Sequence, residues 1–209
     1  MEIRTIQRAY NFEIRAEKDD KNGDHIVGRP IVYDSKTDLG YFDEIIERGA
    51  LDKANLKDVR FLVNHDTSMI PLARSRNNNE NSTMQMSVDD KGMAIRVNLD
   101  TENNTEARNL YSAIKRGDIT GMSFMFSIDK EEWADLESDH PTRHIKSIGQ
   151  VFEVSAVTFP AYESTEISAR DKEALDSAKA TLESVRSQLL ESKNEALELE
   201  KAKLRNKFF

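Results

Sequence analysis

The sequence predicts an α+β protein in which a β-rich domain is followed by one long C-terminal helix. Up to about residue 168, short stretches alternate apolar and polar residues, which is the period of half-buried strands. After residue 168 the chain has no Gly or Pro and is rich in Ala, Glu, Lys and Leu, a composition typical of a long helix. We therefore divide the chain into a folded domain, residues 1–168, and a helical arm, residues 169–209.

The composition excludes several classes of protein. The absence of Cys rules out disulfides, thiolate nucleophiles and zinc–thiolate sites. The formal charge is −8 and no basic patch with interleaved aromatic residues occurs, so we expect no nucleic-acid partner. No apolar run approaches the roughly 20 residues of a membrane span, and the N-terminus lacks the apolar core of a signal peptide. We expect a soluble, non-secreted protein without a cofactor or a membrane partner.

Three strands are predicted in the first part of the domain. Residues 10–16 (YNFEIRA) alternate with the period of a half-buried strand. Residues 25–34 (HIVGRPIVYD) form a second strand, in which Gly28 and Pro30 indicate a bulge or a sheet edge. Residues 59–65 (VRFLVNH) are apolar and β-branched enough to form a buried strand that ends near a histidine.

The second part of the domain contains a hairpin, a helix and two further strands. Residues 82–90 and 92–100 flank a turn at which Gly92 would supply a positive φ. Residues 105–118 change to a helical period, with Gly117 at the C-terminal cap. Two apolar strands follow, ITGMSFMFSI and VFEVSAVTF, the second ended by Pro160, with a polar loop over 134–147 between them.

The arm has the pattern of an amphipathic helix or a short coiled coil. Its apolar stripe is interrupted at Ser192 and Lys203, and a second stripe of leucines runs beside it. Such a stripe must be buried against a partner, and two alternatives remain open: the helix packs back on its own domain, or it associates with itself or with another helical protein. The first stripe comprises Leu175, Ala178, Leu182, Val185, Leu189, Ala196 and Leu199, and the second Leu190, Leu197 and Leu204.

Two of the four histidines have the spacing of metal ligands. His140 and His144 are four residues apart, which on a helix would place two imidazoles on one face. Pro141 lies between them and the surrounding residues are polar, so we interpret this stretch as a solvated loop and predict no metal site. His65 differs, because it lies at the C-terminal end of an apolar strand that would hold the ring rigidly while exposing its tip. On sequence alone, a structural or surface role still explains it better.

Ser123 and Glu153 lie in apolar strands and have two interpretations each. A serine becomes a nucleophile only when a base takes its proton, and Gly121 before it would let backbone N–H groups approach a substrate oxygen. The G-x-S-x-G motif of α/β-hydrolases is absent. Glu153 would need a partner if it were buried, because an unpaired buried charge is expensive. Taken singly, Ser123 is better explained as a core serine that donates to a neighbouring carbonyl, and Glu153 as a residue that alternation points to the solvent face.

Five stretches together resemble the prohead (capsid maturation) proteases of tailed bacteriophages. Each is weak alone, but their order and spacing match the family over about residues 9–168. The stretches are GRPIVYDS, FDEIIERGAL, VRFLVNHD with the later IPLARS, GDITGMSFMF, and VFEVSAVTFPAYESTEI.

The resemblance implies a serine endopeptidase whose β-barrel is similar to that of the herpesvirus assemblins. Carried over by motif, His65 would be the general base, Ser123 the nucleophile and Glu153 the group that orients the imidazole. Asp66 is a competitor for the last role, although adjacent strand residues face opposite ways. The family often has Gly where this chain has Met125, which leaves the width of the substrate groove open.

Three further residues are expected to bind the oxyanion or the substrate. Arg74 in PLARS would help to stabilise the oxyanion, directly or through a water, and we add Gly121 and Met122 as oxyanion or substrate-binding residues. The resemblance also implies the substrate and the place of action: the scaffold segment of the capsid protein, and often the protease itself, inside a procapsid assembling in the host cytoplasm.

Two alternatives belong to other functional classes. One is a non-catalytic capsid assembly module, a β-domain carrying a scaffold helix, in which Ser123 and His65 are structural. The other is a metal-dependent hydrolase built on His65, His140 and His144. A serine-directed covalent probe distinguishes the first from a protease, and sensitivity to a chelator distinguishes the second.

Overall fold

The computed structural model describes residues 5–10, 14–19, 23–158 and 169–207, and the description below concerns these residues. Strands dominate the described chain, followed by a long C-terminal helix, as predicted for an α+β protein. The strands are β1 Thr5–Tyr10, β2 Ile14–Asp19, β3 Gly23–Val32, β4 Lys36–Asp38, β5 Asp43–Ile46, β6 Asp58–Val63, β7 Ala73–Arg76, β8 Met84–Asp89, β9 Gly92–Asn98, β10 Gly121–Ala134 and β11 Thr142–Val157; the helices are α1 Thr105–Arg116 and α2 Ala169–Lys207.

The larger sheet has seven strands and is organised around the long strand β11. Its order is β1-β10-β11-β5-β4, and β6 also pairs with β11 and carries β7 on its other side. Strand β11 is 16 residues long, so the two short parallel strands β5 and β6 both fit along one of its edges, at opposite ends. The antiparallel neighbour β10 occupies its other edge. This arrangement brings β6 and the first residues of β10 to the same end of β11.

The smaller sheet has four strands in the order β2-β3-β9-β8. The register between β3 and β9 shifts between Gly28 and Ile31, so the predicted irregularity at Gly28 and Pro30 is confirmed as a β-bulge. The predicted hairpin is β8–β9. Gly92 has φ +129°, and a Cβ there would lie 2.0 Å from the carbonyl oxygen of Ile31, so only glycine fits.

The main core is formed by the buried faces of the two sheets and is closed by helix α1. Helix α1 buries Ala107, Leu110 and Ile114. The side chain of Asn104 caps its N-terminus by accepting the N–H groups of Glu106 and Ala107. Gly117 ends the helix with φ +81°, as its position in the sequence predicts. The largest fully buried side chains include Phe61, Phe124, Phe126, Ile31, Ile145 and Ile148.

The two sheets adjoin at β7 and β8, where the N–H of Thr83 donates to the carbonyl of Arg74 over 3.1 Å. Among the described strands the pairing forms two separate sheets and no closed ring. The α+β class is therefore confirmed, and closure into a barrel stays a prediction.

Two of the predicted element boundaries differ from the structure. The strand predicted over 10–16 corresponds to two strands in different sheets, since β1 ends at Tyr10 and β2 begins at Ile14. Residues 11–13, and also Pro160 at the expected end of the last strand, lie outside the described residues.

The polar loop predicted over 134–147 is wrong in its second half, because β11 begins at Thr142. Arg143 is only 3% exposed there. Its Nη1 lies 3.2 Å from Glu44 Oε2 and its Nε 3.0 Å from Glu131 Oε2. Carboxylates on neighbouring strands compensate the buried guanidinium, so a charged sequence forms an interior strand.

The long C-terminal helix is confirmed as α2, and its two halves differ. Leu175 and Ala178 are buried against Phe42 of the domain in a second small core. Further along, the Arg186 guanidinium donates to the carbonyls of Leu136 and Ser138 over 2.8 and 2.6 Å. Residues 190–204 are exposed throughout, including the leucines at 190, 197, 199 and 204. The first half of the arm thus packs on its own domain.

Candidate active site

The pairing of β10 with β11 places three polar side chains on one face of the larger sheet. Ser123 in β10 lies directly opposite Ser155 in β11. Glu153 precedes Ser155 by two residues, and side chains two apart along a strand point to the same face. Ser123, Glu153 and Ser155 are buried in an otherwise apolar region, with exposures of 0%, 3% and 0%.

His65 reaches the same place from the end of β6. This strand pairs parallel to β11, with Leu62 opposite Ser155. The chain then turns through Asn64 and His65, whose φ values of +50° and +57° are left-handed. The strand predicted over 59–65 ends at Val63 in the structure, and His65 lies two residues beyond it.

Asn64 ties this turn to the end of β11. Its backbone N–H donates to the carbonyl of Ala156 over 2.9 Å. Its side chain forms two hydrogen bonds with Thr158: Nδ2 donates to Oγ1 over 3.1 Å, and Oδ1 accepts the Thr158 N–H over 2.9 Å. Hydrogen bonds on both sides of the turn compensate for its unusual backbone conformation.

The side chains of Ser123, His65 and Glu153 form one hydrogen-bonded chain. Ser123 Oγ lies 2.6 Å from His65 Nε2, and His65 Nδ1 lies 2.5 Å from Glu153 Oε1. Because an ionised carboxylate only accepts, Nδ1 carries the ring proton and Nε2 is left as the acceptor for the serine hydroxyl. The His65 side chain is 16% exposed, so the ring borders solvent while Glu153 lies beneath it. This arrangement can take a proton from Ser123 and hold it on an oriented imidazole.

Ser155 also belongs to this cluster, although sequence reasoning did not identify it. Its hydroxyl donates to Glu153 Oε2 over 2.6 Å and accepts the backbone N–H of His65 over 3.1 Å. The available signal was its spacing of two from Glu153, which places both side chains on one face of a strand.

Asp66, the competitor for the third role, has another partner. Its Oδ1 accepts the Ser68 hydroxyl over 2.5 Å and the Ser68 N–H over 2.9 Å. These hydrogen bonds, with the hydroxyl as the stronger cause, lower the pKa of Asp66. Asp66 therefore stabilises the turn after His65, while the imidazole contacts Glu153.

Among the described residues, Arg74, Gly121 and Met122 form no side-chain hydrogen bond with this cluster. Arg74 forms a bidentate ion pair with Asp58, with Nε–Oδ1 and Nη2–Oδ2 distances of 2.6 and 2.8 Å. That hydrogen bonding lowers the pKa of Asp58. Gly121 and Met122 open β10, where the pairing with β1 ends opposite Met122. Oxyanion or substrate-binding roles for Arg74, Gly121 and Met122 stay predictions.

The structure does not gather His65, His140 and His144 around one point. His140 Nε2 lies 3.2 Å from Asp43 Oδ1, and His144 Nδ1 lies 2.7 Å from Glu47 Oε1. In the described part of the chain, Asp38, Asp43 and His140 form the one group of three side chains close enough to share a metal ion. The Lys36 ammonium contacts Asp43 there and compensates one of the two carboxylates of the cluster.

No helix in the described ranges is both long and apolar enough to cross a membrane.

Comparisons with known proteins agree with the resemblance noted in the sequence. The family model of the caudovirus prohead serine proteases matches residues 10–180. The prohead protease of Enterobacteria phage HK97 is 31% identical over 130 residues, which cover 60% of this chain and 52% of that protein. The chain thus spans about half the length of this curated relative. No solved structure matches significantly. The match over most of its length shows that the chain belongs to the caudovirus prohead serine protease family.

Proposed function

We propose that this chain is a serine endopeptidase in which Ser123 is the nucleophile, His65 the general base and Glu153 the group that orients the imidazole. The observation that carries the proposal is the unbroken hydrogen-bonded chain from Ser123 Oγ through both ring nitrogens of His65 to Glu153, with distances of 2.6 and 2.5 Å. A serine, a base within hydrogen-bonding reach and a third group that orients the base are the parts that acyl transfer requires.

The reaction follows from the protonation states of these groups. His65 Nε2 accepts the Ser123 proton as Oγ bonds to the peptide carbonyl carbon, and the carbonyl oxygen becomes an oxyanion. The resulting imidazolium is stabilised by the Glu153 carboxylate at Nδ1. When the C–N bond breaks, His65 gives its proton to the leaving amine. Water then attacks the acyl-enzyme, losing a proton to His65, and Ser123 regains its hydroxyl as the acid product leaves.

The oxyanion formed in the first step requires hydrogen-bond donors. Backbone N–H groups at the start of β10 and the Arg74 guanidinium are our candidates. Arg74 would act there only by turning away from Asp58 or through an intervening water, since Asp58 accepts from both its Nε and its Nη2.

Replacing the nucleophile tests the proposal. In Ser123→Ala, we expect peptide cleavage to fall by at least roughly 10⁴-fold, because the covalent step loses its attacking atom. Mass spectrometry of the full chain, expressed alone and with its capsid protein, measures cleavage and locates the cut. Ser127→Ala is a matched control, since Ser127 is another buried serine of β10. Normal cleavage by a folded Ser123→Ala would refute the proposed nucleophile. No cleavage by the folded wild-type chain would instead favour the non-catalytic assembly module.

We assign the substrate by family membership. The name of the family refers to the prohead, and the HK97 relative is a prohead protease. This chain would cleave the scaffold segment of the capsid protein, and itself, inside the assembling procapsid in the host cytoplasm. Cleavage of the co-expressed capsid protein in the same experiment distinguishes this substrate from self-cleavage alone.

We assign a packaging role to the exposed half of α2. Leu190, Leu197 and Leu204 repeat every seven residues and are 61%, 49% and 52% exposed. A stripe of this kind can pair with a second copy of the arm or with a helical scaffold. Changing these three leucines to Ser should leave cleavage intact but reduce the amount of protease recovered in purified procapsids. Undiminished recovery would contradict the role.

A further inference from the structure

We infer that Ser155 is a positioning residue of this catalytic site, fixing the acid and the base relative to each other through a single hydroxyl. The inference rests on the proposed serine peptidase function and assigns a role that extends beyond the three residues already named. It follows from the hydrogen bonds of Ser155, from its burial and from its place in the register.

The first contact concerns the second oxygen of Glu153. Oε1 is directed at His65 Nδ1, which leaves Oε2 in an interior where Glu153 is only 3% exposed. A buried carboxylate oxygen without a donor is costly. The Ser155 hydroxyl supplies that donor over 2.6 Å. With Oε2 held, the carboxylate is prevented from rotating away from the ring.

The second contact concerns the backbone that carries the imidazole. The N–H of His65 donates to Ser155 Oγ over 3.1 Å. This hydrogen bond restrains a residue whose φ of +57° is uncommon outside glycine. The turn bearing the base is thereby tied to the strand bearing the acid.

The directions of these two hydrogen bonds follow from their partners. A peptide N–H can only donate and a carboxylate can only accept, so the hydroxyl of Ser155 accepts from His65 and donates to Glu153. Its proton thus has one position. Loss of this oxygen would remove one hydrogen bond from the carboxylate and one from the turn.

The strand register also places the nucleophile, Ser123, next to Ser155. Ser123 lies opposite Ser155 across β10 and β11. A rigid sheet pair thus carries the nucleophile on one strand and the acid with its anchor on the other. The base is the one group that arrives on a turn, and it is the group whose backbone Ser155 holds.

A purely structural role would look like that of Ser127. Ser127 is also buried, at 7% exposure, and its hydroxyl accepts the backbone N–H of Gln150 over 3.1 Å. It shares the strand environment and the contact to a backbone N–H, but it has no contact with Glu153 or His65 among the described residues. Ser127→Ala is therefore the matched control for Ser155→Ala.

The test measures how fast Ser123 is labelled by an alkyl fluorophosphonate, using the full chain. The reagent forms a bond from phosphorus to Ser123 Oγ, fluoride leaves, and the serine proton goes to His65. The maximal labelling rate and the half-saturating reagent concentration are measured separately, beside the melting temperature of each variant. We expect Ser155→Ala to lower the maximal rate by about 10- to 100-fold, since a hydrogen bond to a charged group is lost. The half-saturating concentration should not change.

Conservative variants separate positioning from folding. Ser155→Thr keeps the hydroxyl and suits a strand, so it should recover most of the rate; Ser155→Cys has nearly the same volume but a weak donor, so it should not. If Ser155→Ala does not fold, the comparison of Thr with Cys decides. A rate in Ser155→Ala equal to that of Ser127→Ala overturns the inference alone. So does a Cys variant as fast as the Thr variant. Folded wild-type chain that is not labelled overturns the proposed function and this inference together.

Discussion

The molecule contains two histidine–glutamate pairs of nearly the same geometry in two different surroundings. His65 Nδ1 lies 2.5 Å from Glu153 Oε1, and His144 Nδ1 lies 2.7 Å from Glu47 Oε1. The first pair has side-chain exposures of 16% and 4%, the second of 25% and 31%. Both pairs join residues about 90 positions apart, so local sequence accounts for neither.

The difference lies in what the other atoms of each pair contact. His65 Nε2 meets the Ser123 hydroxyl, and Glu153 Oε2 accepts from Ser155. Glu47 instead also receives Lys146 Nζ at 3.1 Å. Within the described residues, His144 hydrogen-bonds through Nδ1 alone. A histidine–carboxylate pair alone is therefore a common structural contact. It becomes a candidate for proton transfer when the carboxylate is buried and a hydroxyl lies at the other ring nitrogen.

Replacing each histidine in turn should give the largest difference in cleavage rate between the two pairs. His65→Gln should reduce cleavage by about 10⁴-fold or more, because a Gln amide cannot take the serine proton. His144→Gln should leave the rate unchanged, because no hydroxyl lies within its reach in the described structure. The rates of scaffold cleavage in the two variants test this prediction. Equal losses would mean that the geometry around Ser123 does not select the base.

Replacing each glutamate by Gln should give a smaller difference in cleavage rate between the two pairs. Glu153→Gln should lower cleavage by roughly 10²- to 10⁴-fold, since the amide no longer stabilises the imidazolium. Glu47→Gln should have no effect on the rate, because Glu47 contacts His144 and Lys146 instead. Initial rates beside melting temperatures separate loss of catalysis from loss of folding. A fully active Glu153→Gln would leave Glu153 with a structural role only.

The smallest expected effect is on acid stability at the second pair. Hydrogen bonds from Lys146, and then from His144, lower the pKa of Glu47. An unfolded glutamate takes up its proton near pH 4.3, and folded Glu47 does so only at lower pH. Its stabilising contribution is therefore complete above about pH 4.3 and is lost as the pH falls towards the folded pKa.

Glu47→Gln should thus be less stable than wild type at pH 6 and closer to it at pH 3. The change with pH of the urea unfolding midpoint measures this difference. The Glu47 side chain is 31% exposed, so we expect a small shift. A gap between the two proteins that does not narrow in acid would contradict the assigned pKa direction.

Local periodicity predicts those elements whose cause is local. Helix α1 with its Gly117 cap, the hairpin at Gly92 and the helical character of α2 depend on neighbours within a few residues, and all three are confirmed. The strand at Thr142 was missed because its charged residues are compensated only by partners far away in sequence, such as Glu44 at Arg143. An ion pair between residues so far apart in sequence cannot be predicted from a local pattern.

The sequence by itself determined the hairpin at Gly92, the helices α1 and α2, the α+β class and the family to which the chain belongs, because each depends on residue types at short, fixed spacings. Only the tertiary structure decided which carboxylate contacts His65, that Ser155 joins this cluster and that the first half of α2 packs on Phe42. The first two contacts arise where β6 and the start of β10 meet the same end of β11, and the third lies beside β5 at the opposite end. Strand register sets them, and register is a property of the whole sheet.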